Sequence, residues 1–111
     1  MATPARRLRR LRTAEVLGLE VPVASGAAAR LLGLSHLDLA QAGSGLLIPR
    51  CAGVHTFGMR FALDLVFLGR DGRPCSLRKG VPSRRAAWDS CAGAVLELPC
   101  ALGLLEQLAA G

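Results

Sequence analysis

A chain of 111 residues has room for one domain and one core of useful size. Hydrophobic content of 51% and a mean hydropathy of +0.38 are high for a globular chain and predict apolar surface left for a partner or a second copy. The formal net charge of +6 is uneven: Arg6, Arg7, Arg9, Arg10 and Arg12 precede the first acidic residue, Glu15, so the overall basicity alone does not argue for a nucleic-acid or membrane binder.

Residues 1–14 read as a basic, disordered and solvated arm, and residues 15–111 as a single globular domain. Glu15 and Glu20 interrupt the apolar residues after the arm, so no secretory signal is expected, and no apolar run reaches bilayer length. Residues 16–23 read as a first strand that ends near Pro22. Ser25 is placed to cap a helix over residues 27–32, and Gly33 to stop it. Residues 35–41, with His36 among them, form a helical turn or loop. Three residues, 43–45, then break the chain before a short apolar strand over residues 46–48, closed by Pro49, and a loop over residues 50–53.

The central block follows. Read with a period of two, His55, Phe57, Met59 and Phe61 share one strand face, expected to turn inward, and Val54, Thr56, Gly58 and Arg60 share the other. In the next strand Leu63, Leu65 and Phe67 share one side, while Asp64 heads the other ahead of Val66 and Leu68. Two apolar faces imply a strand covered on both sides or curled into a small barrel. Arg70-Asp71-Gly72-Arg73 carries the Asp-Gly pair of a two-residue hairpin turn, joining residues 65–69 to an edge strand over residues 74–78. Residues 80–91, with the single tryptophan Trp88, read as a long loop. A strand over residues 94–98 and a helix over residues 101–110 close the chain.

The run Val54-His55-Thr56-Phe57-Gly58-Met59-Arg60, with Leu63-Asp64-Leu65-Val66-Phe67-Leu68, Val95-Leu96-Glu97-Leu98, Arg30-Leu31-Leu32-Gly33-Leu34 and Gly45-Leu46-Leu47-Ile48, resembles the family catalogued as domain of unknown function 192. The resemblance covers roughly residues 17–105 and implies a compact domain of mixed helix and mainly antiparallel strand, without an established activity. It also implies a further strand after the closing helix; here that strand is either lost or supplied otherwise, and an open sheet edge would invite dimerisation.

Two constellations could carry chemistry. The first is a polar cluster of His55, Thr56, Arg60 and Asp64 at the central reversal, where Arg60 would present its planar fork to an anion and Arg84 and Arg85 could cover it. The plainer reading is a structural Arg60–Asp64 ion pair, because charges inside apolar strands need partners. Glu97, a further polar residue within a strand, could pair with Arg60 or the basic loop. The second is Cys51 with His55, as a thiolate and imidazole pair oriented by Asp64. On one strand these two would stand about 13 Å apart, so only the loop over residues 50–53 could join them. The plainer reading is a buried, inert cysteine beside a satisfied histidine.

The four cysteines, Cys51, Cys75, Cys91 and Cys100, contain no metal-binding spacing, and reduced thiols in the cytoplasm are the default. The sequence therefore predicts an α+β domain with a small curled or barrel-like, mainly antiparallel sheet and one or two short helices. Its expected role is a non-catalytic binding module for a small anionic ligand or a protein partner, with no cofactor or metal and with a homodimer open. Its alternative is a thiol-dependent hydrolase or transferase using Cys51 and His55. Nucleic-acid binding ranks last, since no helix-turn-helix or glycine-rich phosphate loop is present.

Overall fold

The structure is a computed structural model, and it describes residues 4–110. Its centre is a four-stranded antiparallel sheet. The strands are β3 (Leu46–Pro49), β5 (Leu63–Leu68), β6 (Pro74–Val81) and β8 (Ala94–Pro99), in the order β3-β8-β5-β6. Two ribbons flank it: β1 (Thr13–Val16) with β2 (Leu19–Pro22), and β4 (Gly53–His55) with β7 (Ala86–Trp88). None of the three sheets closes into a barrel. Four short helices complete the α+β fold: α1 (Arg6–Arg9), α2 (Ala27–Leu32), α3 (Leu39–Ala42) and α4 (Leu104–Ala110). Among the described residues no helix is long and apolar enough to cross a membrane.

The apolar runs of β5 and β8 place these strands in the middle, where both faces can be buried. Alternation divides their side chains between two cores. Leu63, Leu65, Phe67 and Val95 join Leu34, Leu46, Ile48 and Met59 on one face; Val66, Leu68, Leu96 and Leu98 join Val21 of β2 and Leu105 of α4 on the other. Glu97 follows the same rule. It stands opposite Leu46 of β3 and Leu65 of β5, so its side chain enters the first core with theirs.

Several expected elements are redrawn. The single strand over residues 16–23 is a hairpin, because Leu17 and Gly18 take φ of 54° and 83° and turn the chain back on itself. A leucine in that left-handed region gives no turn signal in the sequence. The Arg70-Asp71-Gly72-Arg73 hairpin is present, but of its central pair only Gly72 has positive φ. The turn closes from the Gly72 amide to the Gly69 carbonyl at 3.0 Å, and β5 carries a register shift beside it. Helix α2 starts at Gly26 rather than on a Ser25 cap, without a side-chain cap bond, and stops at Gly33 as expected.

The central block departs most. Its strand ends at His55, and Thr56, buried, takes the inward place expected of Phe57, which is 57% exposed. Gly58, at φ 81°, breaks the alternation, and the close approach of the His36 ring leaves no space there for a Cβ. The expected loop over residues 80–91 contains β7, which pairs with β4 through Val54↔Ala87.

Residues 1–3 lie outside the described residues; the rest of the segment read as a solvated arm contains α1 and the start of β1. Leu8 of α1 is buried in the first core, and the Arg7 guanidinium donates to the carbonyl oxygens of Gly33 at 3.1 Å and Ser35 at 2.6 Å. Thr13 and Ala14 already belong to β1. The thiols are not all reduced: Cys75 at the start of β6 and Cys91 before β8 form a disulfide across a sequence separation of 16. Spacing alone could not show that the hairpin returns these two positions side by side.

Candidate functional site

A cleft of about 350 Å³ opens between α2, the end of β3, the loop at Cys51 and strand β4. Each wall follows from local structure. Helix α2 contributes Ala27, Arg30, Leu31 and Leu32; its stop at Gly33 lets the chain fold over the sheet. Ile48 stands at the end of β3, and Val54 and His55 come from β4. Glu97 of β8, 1% exposed, lines the same cleft from the core sheet.

Polar groups converge here without satisfying one another. Arg30 Nε, His55 Nδ1 and Glu97 Oε1 are each buried without a hydrogen-bond partner, and all three residues line the cleft. Buried polar atoms are almost always paired, because each unmade bond costs about 1–3 kcal/mol. Among the described residues four side-chain atoms are buried without a partner; three of them lie on this opening, and the fourth, Asp64 Oδ2, lies outside it. Arg30 is tied elsewhere at one end, its Nη2 donating to the Arg50 carbonyl at 2.7 Å. Arg30 and Glu97 carry opposite charge yet form no ion pair; among the described residues the ion pairs are Arg78–Asp89 and Lys79–Glu106.

Burial among leucines pushes the Glu97 carboxyl up to about 7, against a weaker opposing pull from the Leu34 amide. Near neutral pH it can therefore present either an acceptor or a proton. Gly33 makes room for it: a Cβ at that position would lie 2.8 Å from Glu97 Oε1.

The residues of the expected polar cluster have separate surroundings. Arg60 is exposed and has no ion pair with Asp64. Asp64 is buried and accepts from the Gly80 amide at 2.9 Å. The Thr56 hydroxyl donates to the Pro82 carbonyl at 2.7 Å and accepts from the Arg85 amide at 2.8 Å, which fixes the 82–85 loop rather than facing a ligand. Of the four, only His55 lines the cleft.

Cys51 and His55 do line it together, but the Cys51 thiol donates to the Gly53 carbonyl at 2.8 Å, not to the imidazole. Among the described residues no group of three or more His, Cys, Asp and Glu is placed to hold a metal.

Arg30 and Glu97 were not read as site residues in the sequence. The available signal was isolation: Arg30 is the only charge in α2, and Glu97 the only charge in β8.

With the geometry in place, comparison adds the fold. The family model DUF192, described as uncharacterized ACR, matches residues 9–108. No curated protein matches the chain. Two crystal structures are similar at 20% identity. One, a protein of unknown function from Novosphingobium aromaticivorans DSM 12444, has a TM-score of 0.66, with 81% of this chain and 68% of that one covered. The other, from Sinorhizobium meliloti 1021 and described as a proposed transcription regulator, has a TM-score of 0.70, with 82% and 74% covered. At that identity the likeness speaks for the fold alone.

Proposed function

Because the chain belongs to the uncharacterised DUF192 family, we propose its function from the cleft itself: a non-catalytic domain that binds a small polar ligand between α2, β4 and the Glu97 carboxyl. One observation carries the reading. Arg30 Nε, His55 Nδ1 and Glu97 Oε1 are buried, unpartnered and gathered on one opening, as expected of a site whose partners arrive with a ligand. The anion-binding role expected of the central hairpin moves to Arg30, since Arg60 is exposed and Thr56 is already bonded.

The test is a thermal-shift screen of a metabolite library against the oxidised chain, with each hit checked for slowing of Cys51 alkylation. Cys51 is a free thiol on the cleft wall, so a ligand that fills the cleft shields it. Hits that stabilise the protein and protect Cys51 support the reading; stabilising hits that leave Cys51 unprotected place binding elsewhere.

Thiol catalysis is the second reading, favoured by the shared cleft of Cys51 and His55 and opposed by the hydrogen bond from Cys51 to Gly53. A cytoplasmic setting is likewise a proposal. The Cys75–Cys91 bond weighs toward an oxidising compartment, where disulfides persist. Trapping the thiols by alkylation at the moment of cell lysis decides between the two.

A further inference from the structure

We propose that the cleft takes a small zwitterion of the α-amino-acid kind, its carboxylate on Arg30, its ammonium on Glu97 and an aliphatic side chain against Leu31, Ile48 and Val54. This rests on the cleft being a ligand site and names the chemistry it selects.

The argument starts from the two charges. Arg30 offers Nε–H, a donor without an acceptor; Glu97 offers Oε1, an acceptor without a donor; and the two do not pair with each other. A simple anion would satisfy Arg30 but, once Glu97 is charged, meet a like charge on the same opening. A simple cation would satisfy Glu97 but face the guanidinium. A ligand with both signs close together complements both groups in their charged forms, and complementarity of this kind selects by penalising the wrong charge pattern.

The remaining lining agrees. His55 Nδ1 can accept from the ammonium in one neutral tautomer and donate to the carboxylate in the other. Ala27, Leu31, Leu32, Ile48 and Val54 give aliphatic walls beside the His55 ring, which suits a branched alkyl group. The volume of about 350 Å³ lies at the small end of ligand pockets, in keeping with a ligand of few atoms.

Glu97 adds a signature that a merely structural carboxyl would not give. Its burial favours the neutral form up to about pH 7, and an arriving ammonium favours the charged form. Binding below that pH therefore expels the Glu97 proton to solvent, so affinity rises as pH increases toward 7 and levels off above it.

The experiment is calorimetric titration of the oxidised chain with L-leucine and the other protein amino acids, alongside L-leucinamide, which lacks the carboxylate, and N-acetyl-L-leucine, which lacks the ammonium. The expected result is binding by an aliphatic amino acid and a loss of about tenfold or more for each blocked form, the scale of one charge-assisted hydrogen bond. At pH 6 the measured heat should vary with the ionisation enthalpy of the buffer. Arg30→Gln should remove the discrimination against L-leucinamide, and Glu97→Gln the discrimination against N-acetyl-L-leucine. A variant that has only lost its fold would bind nothing, and the blocked ligands then decide on the unaltered chain.

Equal binding by blocked and unblocked forms overturns the zwitterion. So does protection of Cys51 by other library compounds when no amino acid protects it, a result that leaves the ligand-site reading standing. If no compound protects Cys51, the ligand-site reading falls as well.

Discussion

A Cβ on Gly33 would stand 2.8 Å from Glu97 Oε1, so the helix stop and the buried carboxyl occupy one space that only glycine leaves open. Gly33 also holds φ 52° and ψ −129°, a conformation that side chains resist. Gly33→Ala should therefore cost about 1–3 kcal/mol of stability from the backbone alone, with a further part from the displaced carboxyl. In a Glu97→Ala background that further part should vanish. Urea unfolding of the four proteins measures it, and strictly additive costs would show that the two residues do not share the space.

Glu97 gives the fold a definite dependence on pH. Its pKa is raised from 4.5 to about 7, so the folded state holds a proton that the unfolded chain releases between those values. Stability from this group is full below about 4.5, falls as pH rises, and is lost above about 7, a change of roughly 3 kcal/mol. Glu97→Gln, which cannot ionise, should flatten that part of the curve and gain stability relative to the parent most clearly at pH 8. Melting temperatures from pH 4.5 to 8 test this, and parallel curves for parent and variant would contradict it.

The Cys75–Cys91 bond closes a loop of 16 residues between the edge strand β6 and the start of β8. Restricting the unfolded chain in this way is worth about 3 kcal/mol. Reductant should lower the urea midpoint of the parent accordingly, while the double variant Cys75→Ser, Cys91→Ser should start low and ignore reductant. Cys51 and Cys100 are free in both.

Arg60 and Thr56 should behave oppositely, although both were read into one polar cluster. Arg60 is exposed and without an ion pair, so Arg60→Ala should change stability by no more than about 0.5 kcal/mol. Thr56 is buried with Pro82 and Arg85 bonded to its hydroxyl, so Thr56→Val should cost about 1–3 kcal/mol. Denaturant unfolding separates them. A loss at Arg60 equal to that at Thr56 would restore the cluster.

The parts legible in the sequence are those set by periodicity and by glycine. Alternation along Leu63–Leu68 gave a strand covered on both faces, Gly33 the end of α2, and Asp71-Gly72 the β5–β6 hairpin. The illegible parts depend on backbone that side-chain pattern does not signal. Leu17 turns a chain that reads as strand, and Gly58 ends an alternation that continues through Met59 on paper. The site suffered most, because it joins residues 30, 51, 55 and 97 across three elements and a loop. Local reading instead paired Arg60 with Asp64, neighbours in sequence that face different surroundings.

The most direct test of the cleft as the ligand site is an amide-resolved NMR titration with the compound that stabilises the protein most in the thermal-shift screen. The account predicts that the largest shifts fall on Leu32, Gly33, Gly53, Val54 and Glu97, around the cleft. Largest shifts on Gly80, Arg85 and Trp88, which line a separate basic groove, or on Leu77 and Leu108 of the apolar face, would contradict it.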